Sequence, residues 1–164
     1  MTIIEDSRQQ IGKHDIKNAY FAENGINVVR SKLPYGDYAL CPQIAVDTKK
    51  DIYELAQDID QQHQRFKAEC VNARNNGCKL YILVENDFSI TSLIALGEWV
   101  EPCEHYEMRK NKSKNPHTRL IQGTRLARAC QTMSERYGVE FLFCSPEDSG
   151  KIILELLKGS TTNE

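Results

Sequence analysis

No stretch of this chain approaches the roughly 20 consecutive apolar residues that a membrane-spanning helix needs, and the opening MTIIEDSRQQ lacks the basic-then-apolar order of a secretory signal. Cytoplasm is therefore the expected compartment. The six cysteines, at 41, 70, 78, 103, 130 and 144, contain no CxxC pair, so free thiols are expected, and Cys103 with His105 makes only half of a zinc site. The absence of a GxxxxGK loop disfavours ATP-driven chemistry. A formal net charge of −2 excludes a basic coat, so contact with nucleic acid would need a local patch. With 9 Gly and 5 Pro in 164 residues, and neither repeat nor linker, one globular unit is expected over residues 1–158, followed by a fraying polar tail at 159–164.

What the chain does contain is alternation of strand and helix. TIIE reads as a first strand, and residues 10–24 as a helix with Ile11, Ile16, Ala19 and Tyr20 on its apolar side, ended by Gly25. INVVRSKL, DYALC and IAVDTK, separated by Pro34-Tyr35-Gly36 and Pro42-Gln43, suggest three strands in an antiparallel meander. Ile52, Leu55, Ile59, Phe66, Cys70 and Ala73 trace one long helix that stops near Asn76-Gly77. KLYILVE, apolar throughout, reads as a central strand. Ser89 is positioned to cap a short helix through SLIAL, and residues 97–123 show no period and read as a long loop. A helix from Thr124 closed by Tyr137-Gly138, a strand VEFLFC and a last helix with Pro146 in its first turn complete an α/β sandwich.

The strongest chemical signal is GDYALCPQIAVDTKK. Asp37 and Asp47 lie in adjacent strand-like runs, and Lys49, two residues on, shares a strand face with Asp47. Two carboxylates can hold a hard divalent cation, and a cation, an activated water and an ammonium are what phosphodiester hydrolysis requires. The plainer alternative is a β-turn leading into a strand with a solvent-facing ion pair. Against it, Asp47 directly follows the apolar run IAV, where strands disfavour Asp.

Taken in order, IIEDSR, LPYGDYAL, AVDTKK, a helix with Arg65-Phe66, and YILVE resemble the nuclease domain of XPF-type structure-specific endonucleases, in the PD-(D/E)xK superfamily. The resemblance spans roughly positions 3 to 85; the later GTRLARACQTMSERYGVEFLFC fits the closing elements of that fold and is similar to short phage and bacterial members. It implies a restriction-endonuclease-like α/β fold with a mixed central sheet flanked by helices. It also implies Mg²⁺- or Mn²⁺-dependent cleavage of branched, flapped or junction DNA. The metal ligands it implies are Asp37, Asp47 and the Thr48 carbonyl; Lys49 would orient or help to deprotonate the attacking water, Asp6 would support the site, and Arg8 would hold a phosphate oxygen.

This sequence departs from the family pattern in two ways, one in the motif and one in length. Where the family carries ERK, three residues and an Asp, this chain has Asp47-Thr48-Lys49 and Tyr53, with Glu54 one residue late. Thr48 removes a cation that Lys50, on the other strand face from Lys49, replaces only in part. No tandem helix-hairpin-helix follows Leu157, so DNA contact falls to this domain, a homodimer or a partner protein. Arg109, Lys110, Lys112, Lys114 and Arg119, near Trp99, Tyr106 and His117, form the densest basic stretch, which Arg125 and Arg128 extend. Arg65 is implied to approach either the active site or a backbone phosphate, and a solvated loop is the competing reading of the basic stretch. His63, on the long helix, reads as a solvated side chain, and Glu85 either borders the cleft or caps a helix. Two other functions stay open: a catalytically silent DNA-binding or partner-recruiting module of the same fold, and a different phosphodiesterase acting on RNA or from an end.

Overall fold

The computed structural model describes residues 1–12, 14–41, 43–113 and 118–159. Among them are six strands, β1 (Thr2–Asp6), β2 (Asn27–Ser31), β3 (Tyr38–Cys41), β4 (Ile44–Lys49), β5 (Lys79–Glu85) and β6 (Glu140–Cys144). The helices are α1 (Asp15–Glu23), α2 (Ile52–Asp60), α3 (His63–Asn75), α4 (Leu93–Glu98), α5 (Cys103–Lys112), α6 (Gly123–Tyr137) and α7 (Ser149–Leu157).

The strands form one mixed sheet in the order β2-β1-β3-β4-β5-β6. The expected meander is corrected here. β2 pairs with β1 in parallel, and it is β1 that meets β3, antiparallel. The helix α1 is the crossover that returns the chain in the same direction, so β1 and β2 pair in parallel, and it is the other edge of β1 that meets β3. The β3–β4 hairpin is as expected, and β4, β5 and β6 run parallel.

Two apolar layers cover the sheet. Ala45, Leu80, Ile82 and Val84 pack with Leu55, Phe66, Cys70, Leu96, Leu126 and Cys130 from α2, α3, α4 and α6. On the opposite face Val46, Tyr81 and Leu83 pack with Phe21, Ile153 and Leu157 from α1 and α7. β5 is buried on both sides, as its unbroken apolar run requires.

Further differences concern the helices. The long helix is two, α2 and α3, because the N–H of Gln62 turns back to the Gln57 carbonyl (3.0 Å) and closes α2. The apolar stripe survives the break because each half still faces the core. α1 is shorter than expected, Ile11 is 87% exposed, and the buried residues are Lys17 and Phe21. Ser92, not Ser89, caps α4, accepting the Ala95 N–H at 3.1 Å. The supposed loop 97–123 contains α5, which buries none of its residues, so no hydrophobic period could mark it. Pro146 precedes α7. Gly138, at φ 71°, ends α6 as expected. Cys70, Cys78, Cys103, Cys130 and Cys144 are free thiols. Pro42, Lys114, His117 and the tail from residue 160 lie outside the described residues.

Candidate active site

The site begins with a turn that only glycine can make. Gly36 has φ +69°, and a Cβ there would stand 3.1 Å from both the Ala45 Cβ and the Val46 carbonyl oxygen. This close approach seats Asp37 against β4: its N–H donates to Val46 O (2.7 Å), and its carbonyl accepts the Asp6 N–H from β1 (2.8 Å). Tyr38 pairs with Val46, so one step further along the antiparallel ladder Asp37 stands opposite Asp47.

Asp37 Oδ2 accepts both the Thr48 N–H (2.8 Å) and the Thr48 hydroxyl (2.6 Å). Burial, reinforced by the neighbouring charge of Asp47, pushes the Asp37 carboxyl up to about 7, despite those bonds from Thr48. Lys49 is 4% exposed, with Nζ 2.7 Å from Asp47 Oδ2, 2.6 Å from Asp58 Oδ2 and 4.9 Å from the Phe66 ring centre. Burial works against its charge, but Asp47 and Asp58 outweigh it and raise the pKa, so the amine stays protonated. Asp58 also receives Arg65 Nη2 at 2.9 Å.

The structure thus brings Asp37, Asp47, Thr48 and Lys49 together. Asp6 and Arg8 form their own unit beside them. Both Asp6 oxygens take bonds from Arg8, whose guanidinium also reaches the Leu33 carbonyl (2.8 Å), and Arg8 holds the Asp6 carboxyl below its ordinary value although burial opposes this. Glu54 does not reach the site: it accepts the Lys50 N–H at 2.8 Å while Asp51 caps α2. Tyr53 turns the other way, stacked on His105 with its hydroxyl 2.9 Å from Nδ1. Glu85 lies on the opposite face of the sheet, ion-paired with Lys17. His63 is exposed at the start of α3.

Sequence reasoning missed two acids. Asp58 lies on the buried stripe of α2 between Leu55 and Ile59, and Glu69 lies between Phe66 and Cys70 on α3. Their signal was available: each is an acid at core-facing helical spacing. Glu69 accepts the Gly36 N–H at 2.8 Å, bracing the turn that presents Asp37, and burial together with Asp47 raises its pKa.

The basic residues disperse. Arg109 is held by both oxygens of the fully buried Glu101 (2.7 and 2.8 Å) and donates to the Arg119 carbonyl, so its visible role is to pin α5. Arg125 pairs with Asp60, and Arg65 is bound to Asp58 and Gln62. Lys110 lies 5.6 Å from the Tyr106 ring centre, and Lys112 and Arg119 are exposed. Lys50, Arg109, Arg119 and Arg125 border a cleft of ≈1250 Å³ between α2 and the start of α6, beside the carboxylate pair and not over it.

The donor set can be tested against a divalent ion. Among the described residues no three His, Cys, Asp or Glu side chains already form a cage. The carboxylate pair nevertheless fits: burial first, and then the like charge of Asp47 opposite, raise the Asp37 carboxyl to about 7, which a cation would relieve. Asp47 Oδ2, sealed from water, has the Lys49 ammonium 2.7 Å away as its partner, as Asp58 Oδ2 and Glu85 Oε1 each have a lysine. Hard carboxylate oxygens suit Mg²⁺ or Mn²⁺.

A mixed sheet with helices on both faces, carrying two carboxylates and a lysine on one hairpin, has the form of a restriction-endonuclease-like nuclease domain of the XPF type. The chain belongs to the ERCC4 domain family, whose model matches residues 5–156. Two solved structures are similar. XPF from Aeropyrum pernix matches with a TM-score of 0.64 and 18% identity, over 99% of this chain and 66% of that one. The same protein in complex with DNA matches with a TM-score of 0.63 and 17% identity, over 98% and 64%. This chain therefore spans just under two thirds of those structures, and the likeness is one of fold. No curated protein sequence matches. Among the described residues no helix is long and apolar enough to cross a membrane.

Proposed function

We propose that this nuclease-type domain, residues 1–158, is a Mg²⁺- or Mn²⁺-dependent DNA endonuclease acting on branched, flapped or junction DNA. The observation that carries the reading is Asp37 opposite Asp47, with Lys49 on the same face. Asp37, Asp47 and the Thr48 carbonyl would hold the ion. When bound, it supplies Lewis acidity to a phosphoryl oxygen and lowers the pKa of an attacking water.

The chain's own residues account for the remainder. Lys49, kept as an ammonium by two carboxylates, donates toward the negative charge that grows on the phosphoryl oxygens and is not itself the base. Thr48 fixes the Asp37 carboxylate from two directions, leaving its other oxygen for the site. Asp6 holds Arg8, whose side chain is 59% exposed, ready for a backbone phosphate. Lys112, Arg119 and Arg128, all exposed, are surface cations for a second phosphate, with a homodimer or a partner protein extending the contact.

One observation favours the second reading, a catalytically silent DNA-binding module: Tyr53, at the family's acid position, is committed to His105. The two readings separate on purified protein incubated with linear, flapped, forked and four-way DNA in Mg²⁺, Mn²⁺ or EDTA. Metal-dependent cutting with a preference for a branched substrate is expected. Binding of all these DNAs without cutting in either metal would establish the silent module.

A further inference from the structure

We infer that Asp58 is the positioning residue for Lys49, supplying from later along α2 an acid where Tyr53 stands at the acid position of the family pattern. The inference rests on the endonuclease reading above. The first turn of α2 cannot supply that acid, because Tyr53 is bound to His105 and Glu54 is bound to the Lys50 N–H. Asp58 is one turn beyond Glu54 on the same side of α2 and lies deeper, 2% exposed beside Leu55 and Ile59.

A carboxylate so placed is costly to bury unless its partners are good. Both of its oxygens are used: Oδ2 on the Lys49 ammonium (2.6 Å) and Oδ1 on Arg65 (2.9 Å). Lys49 is thus held from two sides, by Asp47 and Asp58, over the ring of Phe66. The second carboxylate matters because Asp47 is also a proposed metal ligand. A divalent charge at Asp47 would repel the ammonium, and Asp58, which lies off the proposed ligand set, keeps it in place. Arg65, whose side chain is 62% exposed, joins this buried pair to the surface.

The test compares wild type with Asp58→Asn, a near-isosteric change that removes the charge, and with Asp58→Glu, which restores it. Three quantities are read: kcat and KM on the best branched substrate, Mg²⁺ affinity, and acylation of the Lys49 amine followed by mass spectrometry, with the exposed Lys50 as internal reference. Asp58→Asn should lower kcat by about 10²-fold, as misplacement of a catalytic group does. KM and Mg²⁺ affinity should stay within about twofold, and Lys49 labelling should rise severalfold relative to Lys50. Asp58→Glu should recover part of both kcat and protection. An unchanged kcat, unchanged Lys49 labelling, or an equal loss of Mg²⁺ affinity would each overturn the inference. The labelling does not need cleavage, so an inactive wild type would refute the endonuclease reading and still leave the Asp58–Lys49 relation open to measurement.

Discussion

The two faces of the sheet carry buried charge at the same end and balance it differently. On the α1–α7 side, Lys17 and Glu85 form a one-to-one pair, each side chain under 10% exposed. On the α2–α3 side, Asp37, Asp47, Asp58 and Glu69 surround Lys49 and the outer Arg65, so negative charge is in excess. A one-to-one pair ties helix to strand and leaves no net charge for a cation to neutralise. An acidic excess in the same setting is strained by its own repulsion, which a bound cation would relieve. The contrast locates the chemistry more sharply than either cluster alone.

The largest expected effect is on the acidic side. Asp37→Ala or Asp47→Ala should reduce metal-dependent cleavage by several orders of magnitude with little loss of folding stability, since each removes a ligand and relieves repulsion. Steady-state cleavage and thermal unfolding of the same samples check this, and full activity in either variant would end the assignment.

The neutral face should answer the other way. Lys17→Met strands Glu85 in the interior and should cost about 3–5 kcal/mol in denaturant unfolding, while replacing both partners by apolar residues should recover most of the loss. Mg²⁺ affinity should not change in the double variant.

A third, smaller effect is one of pH. Asp37 has an ordinary value of 3.8 and sits near 7 in the fold, so between these the folded protein keeps a proton that the unfolded chain has lost. The stability this contributes is present below about pH 4 and is lost as pH rises through 7. In EDTA the melting temperature of wild type should fall over that window relative to Asp37→Asn, and saturating Mg²⁺ should remove the difference. The smallest effect calibrates the rest: Lys79 and Glu140 pair at 3.1 Å with both side chains more than 40% exposed, and Lys79→Ala should change stability by under about 1 kcal/mol.

Much of this was legible along the chain. The Gly36-Asp37 turn, Asp47 and Lys49 are close in sequence and belong to one hairpin, so their convergence follows from local register. The strand buried on both faces, β5, and the close of α6 at Gly138 were equally plain, although β5 lies second from the sheet edge and not at its centre. The neighbours of the site were not. Asp58 and Glu69 arrive on separate helices, and the break at Gln61-Gln62 reorients the second of them. Lys17 was passed over because a lysine on a helix normally faces water, and its partner is 68 residues away. α5 went unseen because a helix that buries nothing leaves no periodic trace. Within the basic stretch, sequence does not show that Arg109 is spent on Glu101.

By itself, then, the amino-acid order determined an α/β unit with a hairpin that brings two carboxylates and a lysine to one face, because side-chain alternation and a glycine-only turn act over a few residues. Tertiary structure alone decided which charges compensate which. It placed β1 between β2 and β3, set Lys17 against Glu85, and gave Lys49 a second carboxylate from α2. Those outcomes depend on through-space electrostatics in a water-poor interior, where a partner's distance along the chain has no bearing on the strength of the contact.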